Sequence, residues 1–499
     1  MNAINTHESV SIRKTYSGGN ALVFSSTVFL LIFLPLTLLV YYNPFFKSRP
    51  FRNHTLLLFS LAFYAWGEPV FVFVLLLSIL INWFFALLID RQTDPKKRKR
   101  LIFFPLALDI SLIFLFKYLG FAARNLGLLL GRATLDIGIA LPIGISFFTF
   151  QIMSYVIDVY RKKAPVQRNV LNVALYISLF PQLIAGPIVR YETVADQIMN
   201  RKETPDDFTS GVTRFIFGLG KKVLLANYAG LIADNIFSAV GALSAATAWL
   251  GIAAYALQIY FDFSGYSDMA IGLGRMFGFH FLENFNFPYI ASSVTDFWRR
   301  WHISLSTWFR DYVYIPLGGN RGSRARWIFN LFSVWLLTGL WHGANWTFIV
   351  WGLYYVVFLL IEKLTGFDKK LGFLSHAYTL AVVMIGWVIF RAESLPRALQ
   401  YLGYMFGAGS HGIVDELFRY YLSNGKWVLL AAAVSCFPLG QFIRNRLPAG
   451  PAQAAGDHPQ GGLQTAMDLG KTAFTALIFV LSLLVCVNST YNPFIYFNF

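Results

Sequence analysis

One histidine of this 499-residue chain occupies a position where an ionisable side chain is unexpected. The stretch from Trp327 to Ile361 contains no Asp, Glu, Lys or Arg, and His342 lies near its middle, in the run WHGANW at 341–346. An ionisable group at membrane depth marks a functional site by default, because burial there is unfavourable without a partner or a cavity. Desolvation disfavours imidazolium, so the ring is expected to be neutral and able to accept a proton. The alternative is a core histidine that hydrogen-bonds a neighbouring carbonyl.

A second candidate, His302, lies in the aromatic and arginine-rich stretch 292–314. Ser293, Thr295 or Asp296 can cap a helix at its start, and Pro316 follows its end. Five apolar side chains recur there at helical spacing: Phe297, Trp301, Leu305, Trp308 and Tyr312. The pattern predicts one amphipathic helix lying in the membrane interface. Without further information, His302 could be only one more amphipathic anchor on that helix.

Two aspartates, Asp262 and Asp268, follow a 27-residue apolar segment. They are six residues apart and do not share a helical face, so they are not interpreted as a carboxylate pair. They could orient a histidine or line a pore. The alternative is that they are loop residues satisfied at the end of a helix.

The composition shows which elements must position these residues. The chain is 56% hydrophobic, 18% aromatic and 13% charged, with a mean hydropathy of +0.55. That much apolar surface excludes a soluble enzyme and predicts an all-α polytopic membrane protein. The 41 basic residues outnumber the 25 acidic ones, but they are divided among loops between apolar runs. That distribution is typical of cytoplasmic loops and gives poor support to a nucleic-acid interface.

The apolar runs predict about 10–12 transmembrane helices, with some broken or re-entrant. Residues 22–42 are expected to form a retained span rather than a cleaved signal peptide, and the break at Gly67-Glu68-Pro69 predicts a hairpin. Residues 1–20 are predicted to be a polar tail outside a single membrane domain covering 21–499, in which 447–462 form a flexible loop. Cys436 and Cys486 lie in apolar stretches, so no disulfide framework and no metal site are predicted.

The chain resembles the membrane-bound O-acyltransferase (MBOAT) family, in particular its alginate O-acetyltransferase-like bacterial branch. The most specific matching stretches are FWRRWH at 297–302 with SLSTWFRDY at 304–312, IPLGGNR at 315–321 and LWHGANW at 340–346. The start VFSS at 23–26 and the ending YNPF at 491–494 also resemble that branch rather than the teichoic acid D-alanyl transferases. The resemblance covers the chain from about Leu22 to Phe499.

The resemblance implies that His342 matches the catalytic histidine and His302 a second polar position. It also implies interfacial or re-entrant helices around a central tunnel that joins funnels on the two membrane faces at His342. Further candidates for binding or orienting substrate lie in the same stretches or in the aspartate segment: Trp341, Asn345, Arg310, Asp311, Tyr314, Asp262 and Asp268.

The expected reaction is transfer of an acetyl group from a cytoplasmic thioester, acetyl coenzyme A or another acyl thioester, to a hydroxyl on an exported polysaccharide such as alginate. His342 would be the general base, and His302 would orient a substrate or donate a hydrogen bond to the carbonyl oxygen. The resemblance implies a bacterial inner-membrane enzyme with no permanently bound cofactor and a periplasmic acetyltransferase partner. A flippase for a lipid-linked saccharide stays open, as do teichoic acid, lipid and peptide acceptors.

Overall fold

The computed structural model describes residues 22–131, 137–239, 241–440, 442, 462–489 and 491–495. The predicted tail at 1–20 lies outside the described residues, and so does the predicted loop at 447–462 except for Gly462, which begins a helix. The regular secondary structure of the described residues is helical, without a β-strand. The prediction of an all-α fold is therefore confirmed.

The helices of seven or more residues are numbered here in chain order. They are α1 (Phe29–Tyr41), α2 (Arg49–Gly67), α3 (Phe71–Arg91), α4 (Pro95–Leu129), α5 (Ile145–Tyr160), α6 (Val170–Ser178), α7 (Pro205–Phe237), α8 (Ala245–Met276), α9 (Val294–Arg300), α10 (Ile303–Phe309), α11 (Arg324–His342), α12 (Trp346–Thr365), α13 (Ser375–Arg391), α14 (Leu395–Met405), α15 (Glu416–Ser435) and α16 (Gly462–Asn488).

Six helical segments of the described chain are long and apolar enough to cross a bilayer. They lie in α3, α4, α7, α12, α13 and α16. The predicted number of 10–12 is not reached by this criterion, because several predicted segments are short or split. The segment predicted at 22–42 contains only the short helix α1. The apolar run at 169–189 contains the nine-residue α6, followed by a single helical turn at Phe180–Leu183. The predicted hairpin break is confirmed, since α2 ends at Gly67.

Contacts group the described residues into two compact units, and the single membrane domain stays a prediction. The described part of the first unit lies within 22–23 and 33–184, and the described part of the second lies within 24–32 and 185–495. In the first unit, α3 packs against α4, α5 and α6, and Asn82 of α3 donates a hydrogen bond to the buried Asp109 of α4 at 3.0 Å. Both candidate histidines belong to the second unit.

Helices α7 and α8 form the central pair of the second unit, and glycines allow their backbones to approach closely. A Cβ on Gly218 would lie 2.6 Å from the Gly265 carbonyl oxygen, and one on Gly211 would lie 2.6 Å from that of Gly272. Lipid leaves no hydrophobic driving force between helices, so their association depends on van der Waals packing. Small residues favour this packing because they let the two backbones approach closely. The remaining helices of the unit carry the candidate site.

Candidate active site

His342 is the last residue of α11, and the turn that follows fixes its position. Gly343 is extended, with φ −176° and ψ 157°, and Asn345 then caps α12 by accepting a hydrogen bond from the Thr347 amide at 3.3 Å. The Asn345 side-chain amide also donates to the Glu393 carbonyl at 3.0 Å. Asn345 therefore shapes the turn after His342, and its predicted contact with substrate stays a prediction.

The α11–α12 hairpin is packed backbone against backbone. A Cβ on Gly339 would lie 2.4 Å from the Phe348 carbonyl oxygen, and one on Gly352 would lie 2.4 Å from that of Trp335. No side chain fits between the helices at these two levels. The close packing of the two backbones thus fixes the position of the His342 backbone.

Aromatic rings surround the His342 side chain, which is 5% exposed. The ring centroids of Trp341, Trp351 and Phe390 lie 5.0, 5.1 and 5.1 Å from that of the imidazole. These rings come from α11, α12 and α13 respectively. These rings leave little of the His342 side chain in contact with solvent.

His302 lies at a break that the sequence did not predict. The helix expected over 292–314 is instead α9, a junction at Trp301 and His302, α10, and a π-helical turn that ends at Tyr314. His302 has φ 45° and ψ 53°, a left-handed conformation that is unfavourable for a residue other than glycine. The prediction of one continuous helix was wrong here. The predicted apolar stripe is nevertheless buried on both sides of the break, and the predicted cap is present, since Ser293 accepts from the Asp296 amide at 2.9 Å.

A hydrogen-bond network holds the His302 ring, which is 2% exposed. Its Nδ1 lies 3.2 Å from Oδ1 of Asn284, which also accepts from the Ser304 hydroxyl at 2.9 Å. Asn284 in turn donates to Ser267 at 3.0 Å, and Ser304 accepts from the Ile188 amide at 3.0 Å. In the sequence, His302 lies outside the candidate spans. Burial lowers the pKa of its imidazole to about 3, so the ring is neutral.

The two histidines meet at one tryptophan. The Trp341 ring centroid lies 5.0 Å from that of His342 and 5.8 Å from that of His302. Phe263 of α8 packs edge-on against His302 at 4.6 Å. The fold therefore brings together three predicted site residues, His302, Trp341 and His342, which are up to 40 positions apart in the sequence.

Glu362 of α12 links the helix that leads to His302 with the hairpin that carries His342. Its carboxylate accepts hydrogen bonds from the amides of Val294 and Thr295 at 2.6 and 2.9 Å, and from the Thr295 hydroxyl at 2.8 Å. Trp298 of α9 also packs between rings of the hairpin: its centroid lies 4.9 Å from that of Trp335 and 5.5 Å from that of Trp351. These contacts fix α9 against the hairpin.

The residues after α10 form a polar anchor. Asp311 accepts from Arg190 at 2.6 Å and from the neighbouring Arg310 at 2.7 Å. The Tyr314 carbonyl accepts from the Gly319 amide at 2.8 Å, which closes the turn before α11. Asp311 thus ties this segment to Arg190. Direct contact of these residues with substrate stays a prediction.

Asp262 and Asp268 lie within α8, so the alternative of loop residues at a helix end was wrong. Asp262 pairs with the buried Lys222 at 2.7 Å and accepts from the Ile495 amide at 2.9 Å. Asp268 pairs with Arg214 and Lys221 at 2.8 and 2.7 Å. These bonds join α8 to α7 and to the segment at 491–495, and the contacts described for the two aspartates include no histidine.

Sequence reasoning missed Asn284 and Glu362. Glu362 directly follows the uncharged run that ends at Ile361, and a charged residue in that position is typical of the end of a membrane span. Asn284 lies among aromatic residues in LENFNFP at 282–288, and nothing in its spacing connects it with His302. Over the described ranges, the structure assembles no group of three or more His, Cys, Asp or Glu side chains able to hold a metal ion.

Comparison with known proteins identifies one family and several similar proteins. Residues 157–389 match the family described as MBOAT, membrane-bound O-acyltransferase family. The probable alginate O-acetylase of Pseudomonas putida is 42% identical over 492 residues, which cover 96% of this chain and 100% of that protein. The corresponding protein of Pseudomonas aeruginosa is 40% identical over 525 residues, with the same coverage. The peptidoglycan O-acetyltransferase of Helicobacter pylori is 37% identical over 422 residues, covering 77% of this chain and 80% of that protein.

Proposed function

Because the chain belongs to the membrane-bound O-acyltransferase family and is a multi-pass membrane enzyme, we propose that it transfers an acetyl group for the O-acetylation of an exported polysaccharide such as alginate. The donor is acetyl coenzyme A or a related thioester on the cytoplasmic face of the bacterial inner membrane. The observation that carries the proposal is the meeting of His302 and His342 at Trp341, in a chain that aligns end to end with alginate O-acetylases.

His342 acts as the general base in this proposal. Its imidazole takes the proton of the acceptor hydroxyl while that oxygen forms a bond to the thioester carbonyl carbon. The carbon–sulfur bond then breaks, and the departing thiolate receives the proton. A positioned base contributes about 10²- to 10⁴-fold in rate. The rings of Trp351 and Phe390 keep water from hydrolysing the thioester.

Direct transfer is favoured over a covalent enzyme intermediate. The Ser304 hydroxyl lies close to His302, with 3.4 Å between Oγ and Nδ1. Its proton goes to Asn284, however, and its oxygen accepts from the Ile188 amide. A nucleophilic serine needs its proton directed at a base, and here Ser304 instead supports the backbone at the break.

The relatives support the choice of acceptor. The Pseudomonas proteins named above are probable alginate O-acetylases, which favours an exported polysaccharide. A periplasmic acetyltransferase that completes its acetylation is the proposed partner. The Helicobacter protein acts on peptidoglycan, so that polymer is the second candidate acceptor. Membership of the acyltransferase family argues against the flippase that the sequence alone left open.

The decisive experiment replaces His342 with alanine and measures O-acetyl groups on the exported polysaccharide by mass spectrometry, at equal membrane abundance. We expect near-complete loss for His342→Ala and severe impairment for His302→Ala. His280→Ala is the matched control, because the His280 side chain is 53% exposed, and this variant should acetylate normally. Wild-type acetylation by His342→Ala would refute the proposal. If His342→Ala loses acetyl groups from peptidoglycan while the exported polysaccharide is unchanged, the acceptor is peptidoglycan and the proposal of an exported polysaccharide is wrong.

A further inference from the structure

We propose that Asn284 is a positioning residue that holds the His302 ring as the tautomer with its hydrogen on Nδ1, so that Nε2 accepts a hydrogen bond from substrate. The inference rests on the proposed function and refines it. Two roles were open for His302: orienting a substrate, or donating a hydrogen bond to the carbonyl oxygen. The network around Asn284 selects between them.

The first step is the orientation of the Asn284 amide. The Ser304 backbone N–H lies 3.2 Å from Oδ1 of Asn284, and a backbone N–H can only donate. The Ser304 hydroxyl lies 2.9 Å from the same oxygen, and the amide nitrogen donates to Ser267 at 3.0 Å. The oxygen of Asn284 therefore faces Ser304 and His302.

The second step is the tautomer of His302. Its Nδ1 lies 3.2 Å from that oxygen, which is an acceptor, so Nδ1 must carry the hydrogen. A neutral imidazole carries only one N–H, so the lone pair is on Nε2. The geometry is held in place by the backbone, because the Ile303 amide donates to the Asn284 carbonyl at 2.9 Å, directly after the left-handed His302.

The consequence for catalysis is specific. A nitrogen with a lone pair cannot donate to a developing oxyanion, so His302 in this state is not part of an oxyanion hole. It accepts a hydrogen bond from an O–H or N–H group of a substrate other than the proton that His342 removes. A sugar unit offers such a group in the hydroxyl next to the reacting one, and the amide of a coenzyme A arm offers another.

The test compares three variants of the full chain. Asn284→Asp keeps an oxygen acceptor toward His302, and every partner of the side chain can donate to it, since the Ser267 hydroxyl can rotate. Asn284→Leu keeps the approximate volume and removes the acceptor. Asn286→Leu is the matched control: Asn286 is two residues away and exposed, and its described hydrogen bonds are made by its backbone.

Two measurements are needed. Nitrogen-15 NMR of histidine-labelled protein in lipid bilayers, with His302→Gln to assign the signal, reports the tautomer without requiring turnover. The second is kcat and KM for coenzyme A release from acetyl coenzyme A, with purified protein in proteoliposomes, an alginate oligosaccharide as acceptor and a periplasmic extract that supplies the proposed partner.

We expect an unprotonated Nε2 in the wild type, in Asn284→Asp and in Asn286→Leu, and a mixture of tautomers in Asn284→Leu. We expect kcat to fall about 10²-fold in Asn284→Leu with a smaller change in KM for acetyl coenzyme A, and to recover to within about tenfold in Asn284→Asp. A protonated Nε2 in the wild type, or wild-type tautomer and kcat in Asn284→Leu, would overturn the inference. If the wild type releases no coenzyme A, the proposed function fails while the NMR result still decides the tautomer.

Discussion

His342 and His302 belong to one candidate site, but they are held in place by different physical means. His342 ends a helix whose hairpin is packed backbone against backbone at Gly339 and Gly352, among aromatic rings. His302 has a left-handed backbone between two short helices, and its ring hydrogen-bonds the side-chain oxygen of Asn284, which also accepts from Ser304. Packing fixes where the first ring is. The polar network fixes where the second ring is and also where its hydrogen lies.

This contrast predicts that the α11–α12 hairpin tolerates no added side-chain volume. A substitution that adds volume there should have the largest effect of the variants considered. In Gly339→Val, the new Cβ would lie 2.4 Å from the Phe348 carbonyl oxygen, so the helices must separate. Overpacking of this kind costs about 1–3 kcal/mol or more, and displacement of His342 should abolish acetyl transfer. Thermal unfolding in detergent and membrane abundance measure the first effect.

The control for that variant is Gly470→Ala, because a Cβ at Gly470 would meet no atom within 4 Å. It should behave as the wild type does in abundance, unfolding and activity. Wild-type activity in Gly339→Val would show that the packing of the hairpin does not position His342.

The break at His302 should separate activity from stability. Asparagine tolerates the left-handed conformation better than most residues, so His302→Asn should lose about 1 kcal/mol less of the free energy of unfolding than His302→Ala. Acetyl transfer should fall about 10²-fold, since the ring is gone. His302→Ala lacks this tolerance and should lose both activity and stability. Equal stabilities of the Asn and Ala variants would contradict the assigned role of the left-handed backbone.

Glu362 links the two regions, and its removal should have an intermediate effect. Glu362→Ala leaves the Val294 and Thr295 amides without their acceptor, and an unsatisfied buried donor costs about 1–3 kcal/mol. Transfer should fall by roughly tenfold through displacement of α9. Glu362→Gln keeps one acceptor oxygen and should lose less, while the exposed Glu416→Ala serves as control in the same unfolding assay. If Glu362→Ala has the unfolding midpoint and the activity of the wild type, Glu362 does not hold α9 against the hairpin.

The smallest effect is expected at Asp415, which caps α15 and lies outside the candidate spans. Partial burial alone would raise the pKa of this carboxyl, but hydrogen bonds from Thr247 and from the Phe418 and Ser244 amides hold it below its usual value. The stabilisation is thus present above the unfolded-state pKa and is lost as pH falls through the lower, folded-state pKa. Asp415→Ala should cost about 1 kcal/mol at pH 7 and much less in acid, with acetyl transfer unchanged.

Unfolding midpoints of Asp415→Ala and the wild type at pH 7 and in acid, measured side by side, test this sign. A difference between the two proteins that grows as the pH falls would contradict it.

Much of this arrangement could be predicted from the sequence, because burial and periodicity are local signals. The helical fold, the break after Gly67, the Ser293 cap and the buried stripe from Phe297 to Tyr312 all follow from residue type and spacing. The break at His302 could not be predicted, since tertiary hydrogen bonds stabilise a backbone conformation that histidine does not prefer by itself.

The partners of the charged residues could not be predicted from the sequence either. An acid at the end of an apolar run can face water, or it can cap a helix elsewhere, and only the fold shows that Glu362 does the latter. Asp262 was considered as a possible partner of a histidine, whereas the structure pairs it with Lys222. Spacing along the chain predicts neighbours on one helix, and these pairs join different helices.

The concentration of indole rings around the two histidines gives the site its own optical signal. Six of the 13 tryptophans belong to this cluster: Trp298, Trp301, Trp335, Trp341, Trp351 and Trp387. Closely spaced indoles couple their electronic transitions. Near-ultraviolet circular dichroism of the solubilised protein should therefore respond to the entry of a donor analogue, without any attached label.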